Sequence, residues 1–112
     1  MFLSKIFNCC NCGGNSGSGN IQYITNNNTT IYSNNAALLA LNFGNIVSSA
    51  SIVLPAAPSD GQIWSVNSAY AITLLTLSAT YLIQGYTVPF YFAGYPSLTY
   101  QFSAAQNKWL IL

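Results

Sequence analysis

From Ile21 onward, turn-forming residues break this chain at short intervals, and the pieces between them are the length of strands. Asn26-Asn27-Asn28 separates Ile21-Gln22-Tyr23-Ile24-Thr25 from Thr30-Ile31-Tyr32, and Asn suits such a turn because it tolerates left-handed backbone angles and hydrogen-bonds its own turn. Ser51-Ile52-Val53-Leu54 stops at Pro55, which has no backbone donor to offer a ladder. Pro58-Ser59-Asp60-Gly61 then marks a tight turn. Gln62-Ile63-Trp64-Ser65-Val66 alternates with period two, placing Trp64 and Val66 on one face and Ile63 and Ser65 on the other. Further short runs cover 72–77, 81–83, 89–92, 98–102 and 109–112, with Gly85, Gly94, Pro96 and Asn107 between them. Only Asn35 to Phe43 contains helix formers in a row, and without amphipathic spacing it reads as a buried strand. Turn signals about ten residues apart predict an all-β chain, an antiparallel β-sandwich or jelly roll.

Charge limits what such a fold can do. Lys5, Asp60 and Lys108 are the only formal charges, and there is no Arg, Glu or His, so 3% of the residues are charged where roughly 25% is usual. Paired carboxylates, a Ser/His/Asp triad and a Cys/His dyad cannot be assembled from this inventory, so the chain is not expected to be an enzyme. No cofactor is expected, and a metal site rich in imidazole or carboxylate is out of reach. Two lysines far apart in sequence do not neutralise a phosphate backbone, which argues against nucleic acid as a partner. A net charge of +1 gives copies of the chain little mutual repulsion. A chain this short also leaves about a third of its unfolded surface exposed after folding. Both points favour a homo-oligomer, with a trimer expected.

Composition divides the chain into three. Residues 1–12 form an apolar, cysteine-bearing head, residues 13–20 a Gly/Ser/Asn linker, and residues 21–112 a single β domain. No apolar stretch reaches the ~20 residues of a transmembrane helix, and the head reaches Asn8 before an adequate signal-peptide core develops. Synthesis in a reducing cytoplasm is therefore expected. Cys9, Cys10 and Cys12 follow Phe2, Leu3, Ile6 and Phe7. Such clustered thiols suit S-acylation and membrane contact through the head, interchain disulfides, or no modification at all, with three-ligand zinc the weakest reading.

At Ser51 to Gln62, a strand ending in Leu-Pro-Ala and a turn ending in Asp-Gly-Gln resemble a β module of viral fibres, spikes and receptor-binding tips. Leu75-Thr76-Leu77, Ile83-Gln84-Gly85, Ser97-Leu98-Thr99-Tyr100 and the closing Gln106 to Leu112 continue that pattern, so the resemblance covers roughly residues 45–112. It implies a virion structural protein, a small capsid, cement, fibre or spike subunit located in the virion and contacting other virion proteins. A tip that binds a receptor or glycan during host attachment is the alternative, and an acylated peripheral membrane protein a third. The residues expected to matter are packing or interface anchors, Trp64, Phe90, Phe92 and Trp109, and an aromatic ligand platform of Tyr86, Tyr91 and Tyr95. Asp60, followed by Gly61, is read as a turn residue.

Overall fold

A computed structural model describes residues 20–27, 29–93 and 97–112. The head and most of the linker, with Cys9, Cys10 and Cys12, lie outside the described residues, as does Tyr95. Among the described residues ten strands form two sheets: β1 (Ile21–Ile24), β2 (Ile31–Tyr32), β3 (Leu38–Leu41), β4 (Val47–Val53), β5 (Ile63–Ser68), β6 (Ile72–Ser78), β7 (Leu82–Ile83), β8 (Phe90–Phe92), β9 (Leu98–Ser103) and β10 (Lys108–Ile111). The all-β expectation holds, and Asn35 to Phe43 contributes the strand β3.

The sandwich and jelly-roll expectation does not hold. The first six strands alternate between the sheets, and each of the first four pairs in parallel with the strand two places later: β1 with β3 and β3 with β5 in one sheet, β2 with β4 and β4 with β6 in the other. Sandwiches and jelly rolls are built from antiparallel neighbours. A chain that passes from sheet to sheet and returns beside its own earlier turn is instead a β-solenoid, here of three coils. Antiparallel pairing enters only at the far end, where β9 joins β5, β10 joins β9 and β8 joins β6, while β7 lies parallel to β10 at the sheet edge. The larger sheet runs β1-β3-β5-β9-β10-β7 and the smaller β2-β4-β6-β8.

The coils explain both the core and the amides. Stacking in register sets like side chains above one another, as in Ile31, Ile52 and Leu77 or Leu39 and Val66, and these residues are buried between the sheets. Asparagine turns two of the corners. Asn34 Oδ1 accepts from Ala36 N at 2.8 Å, and Asn42 Oδ1 accepts from Gly44 N at 3.1 Å. At the first coil the inward row ends on Gln22, whose amide donates to the Tyr32 carbonyl and accepts from Asn34 N. A polar residue thus closes the apolar ladder of Leu39 and Val66.

β4 begins at Val47, ahead of the Ser51 start expected from the sequence. The inward positions there are Val47, Ala50 and Ile52, and in the next coil Ile72, Leu75 and Leu77, so both strands break period two at the same height. Against β8, three steps from Ile72 to Leu75 match two from Phe92 to Phe90, which is a β-bulge. Ser48, Ser49, Thr73 and Leu74 take up the extra residue on the solvent side.

Candidate functional site

The aromatic residues singled out by sequence fall into different places. Trp64 and Trp109 are completely buried, and Trp109 meets Phe102 edge-on with ring centroids 5.3 Å apart. Phe92 is buried and Phe90 half-buried, packed 6.3 Å apart along one side of β8. Tyr91, between them, projects from the opposite side and is exposed. Tyr86 stacks on Phe90 with centroids 4.3 Å apart. Tyr86 is therefore drawn to the Phe90 side of β8, and Tyr91 looks the other way, over the row that carries Leu74. Gly85 and Tyr86 both adopt positive φ, 62° and 46°, making the tight reversal that brings the Tyr86 ring back onto β8.

Asp60 sits in the turn before β5. Its carboxylate accepts from Ala104 N at 2.9 Å, and Gly61, at φ 82°, donates to the Phe102 carbonyl. The turn is thus tied to the β9–β10 hairpin. Gln84 makes a second tie: its N–H donates to the Trp109 carbonyl, its side-chain oxygen accepts from Ile111 N, and its carbonyl accepts from the Tyr100 hydroxyl at 3.0 Å. Burial, with Tyr86 nearby, pushes the Tyr100 hydroxyl up to about 12. That phenol is neutral at any physiological pH and serves as a structural donor.

Sequence reasoning missed a groove of about 770 Å³ across the C-terminal ends of β1, β3 and β5. The parallel register aligns Tyr23, Ala40 and Asn67 as its outer row and Ile24, Leu41 and Ser68 behind them. Ala40 is the short member, so a notch opens between the Tyr23 ring and the Asn67 side chain. Strands spaced about 4.8 Å apart put those two positions roughly 10 Å from each other. The floor is held by continuing ladder bonds, Asn42 N to the Ile24 carbonyl at 2.9 Å and Ala69 N to the Leu41 carbonyl at 2.8 Å. Tyr23 is 73% exposed. Its partners lie 17 and 44 positions away in sequence, and only the coil register unites them.

Among the described residues, no cluster of His, Cys, Asp or Glu could hold a metal ion, and no helix is long and apolar enough to cross a membrane. Comparison with protein-family models, curated proteins and solved structures finds no match to this chain.

Proposed function

We propose that this chain is a virion structural subunit that works by self-association, and that the outer surfaces of its two sheets are the surfaces that associate. The observation that carries this reading is the chemistry of those surfaces. The described residues include only two charges, Asp60 and Lys108, and large apolar side chains stand exposed on both sheets, among them Leu82, Leu74 and Tyr91. Exposed apolar surface on this scale marks an interaction face, and low net charge removes the usual barrier to contact between copies. Ser, Thr, Asn and Gln side chains around them can pair across an interface without the desolvation cost of buried charge.

The edges support the same reading. Among the described residues β1 ends the larger sheet without a Lys, a Pro or a bulge within the strand, three of the devices that normally keep an edge from pairing, whereas the edge strand β2 of the smaller sheet is only two residues long. The virion assignment rests on the resemblance of residues 45–112 to fibre and spike modules, and the other virion proteins are the partners it implies. Trimeric assembly, and attachment to a shell or membrane through the cysteine-bearing head, belong to the same proposal.

Light scattering on the purified full chain tests self-association. The expected mass is a multiple of 12.0 kDa that persists at micromolar concentration, three copies for the trimer. A folded monomer would remove the reading.

A further inference from the structure

We propose that the groove across the ends of β1, β3 and β5 is a binding site for a neutral saccharide, with the Tyr23 ring as its stacking face and the Asn67 amide as its hydrogen-bonding group. This goes beyond self-association and uses a surface separate from Tyr86 and Tyr91.

The first argument is the distribution of charge. β5 runs from Ile63 to Ser68, so its two ends are about 17 Å apart. Asp60 precedes the first end and bonds to Ala104 there. Lys108 is opposite Ser103, on that same side of the sheet. The groove lies at the other end, beside Asn67, Ser68 and Ala69. Both described charges are thus separated from it by the length of the strand. A phosphate, a carboxylate or an ammonium group would meet no counter-charge there, so the ligand that fits is uncharged.

The second argument is the mixture of surfaces. A sugar ring has an apolar face and a rim of hydroxyls, and the groove offers one partner for each. Tyr23 is a broad, solvent-facing ring with a polar tip. Ala40 leaves the depth for a ring to lie against it, with Leu41 behind. Thr25, Asn67 and Ser97 bring hydroxyl and amide groups to the margin. In the second coil Asn42 is already committed to its own corner through Gly44 N, which fixes that wall. The volume falls within the roughly 300–1,000 Å³ of small-molecule sites, enough for a short oligosaccharide.

The third argument is rigidity. Each wall is the end of a strand locked by the coil ladder, so little order has to be imposed on binding.

The test is an NMR titration of the full chain with maltotriose, N,N′,N″-triacetylchitotriose and lactose, with 3′-sialyllactose as the charged comparison. At least one neutral sugar is expected to shift the amides of Thr25, Asn42, Asn67 and Ala69, with affinity in the millimolar range or tighter. Tyr23→Ala is expected to weaken that binding about tenfold, and Ala40→Phe, which fills the notch, to abolish it. Tyr91→Ala is expected to leave it unchanged. Tyr23 is exposed, so its removal leaves the fold intact, which the unchanged remainder of the spectrum verifies. The proposal is overturned if no neutral sugar moves these amides at about 10 mM, if sialyllactose binds best, or if Tyr23→Ala leaves the affinity unchanged. Light scattering on the same variant separates the two proposals: loss of the oligomer without any sugar binding would assign Tyr23 to the contact between copies instead.

Discussion

The three parallel coils and the antiparallel end of this molecule solve the same burial problem with different side chains. In the coils most inward positions are aliphatic, among them Leu39, Leu41, Ile52, Ile72 and Leu75, and the exception among the large ones, Trp64 of β5, lies 6.4 Å from Tyr100, where the coils meet the closing end. At the closing end they are aromatic: Tyr100, Phe102 and Trp109 are buried there, and Tyr81 packs on Phe102 with centroids 4.9 Å apart. Parallel strands in register repeat one shape at a constant spacing, so medium-sized side chains stack on their own kind. Where β9 and β10 reverse direction the repeat is lost, and larger, flatter groups fill an irregular volume. Side-chain hydrogen bonds serve both regions, from Gln22, Asn34 and Asn42 at the coil corners and from Asp60, Gln84 and Tyr100 at the closing end.

The largest break in that comparison should come from Trp109→Ala, which empties the aromatic end. A loss of about 3–5 kcal/mol in urea unfolding is expected. Trp109→Phe should cost much less, because the indole N–H meets no acceptor among the described residues and only volume is lost. Next, Ile52→Ala in the middle coil should cost about 2–4 kcal/mol. Hydrogen exchange on the two alanine variants then tests whether the regions are separate: Ile52→Ala should accelerate exchange most in β2, β4 and β6, and Trp109→Ala in β9 and β10. Uniform acceleration in both would show a single cooperative unit. Asp60→Ala, which frees Ala104 N, should cost about 1 kcal/mol and loosen the hairpin.

A further effect appears only at alkaline pH. Tyr100 ionises near 12 in the folded chain against an ordinary value of 10.0. The unfolded chain therefore releases this proton first. Its contribution to stability is complete below pH 10 and is lost as pH rises from 10 towards 12, by up to about tenfold in the folding equilibrium per pH unit. Tyr100→Phe should remove that slope and cost about 1 kcal/mol at neutral pH, since the Gln84 carbonyl loses its donor.

Strand positions were readable in the sequence in both regions, as at Ile21–Ile24 and Ile72–Ser78 in the coils. Period two at Trp64 and Val66, the Asp60-Gly61 turn and the runs ending the chain all mark elements close to where they lie. The parallel pairing of the coils was not, because the coils differ in length. Ile21 pairs with Leu38, 17 positions on, and Leu38 pairs with Ser65, 27 positions on. No fixed period survives that inequality, so strands that lie parallel read as successive hairpins. The groove was hidden for the same reason, and Tyr86 and Tyr91 read as members of one platform because a linear reading cannot see Tyr86 fold back on Phe90.

A sheet patterned strictly in twos carries an ambiguity: sliding one strand by two places returns every side chain to its proper face. The interruption shared by β4 and β6 abolishes that ambiguity. Ser48-Ser49 in one strand and Thr73-Leu74 in the other nest at a single alignment, and a two-place slip would drive an outward pair of one strand against an inward residue of its neighbour. The bulge thus acts as an index mark, selecting one alignment from a ladder of near-equivalent ones in a chain with almost no charge to discriminate among them.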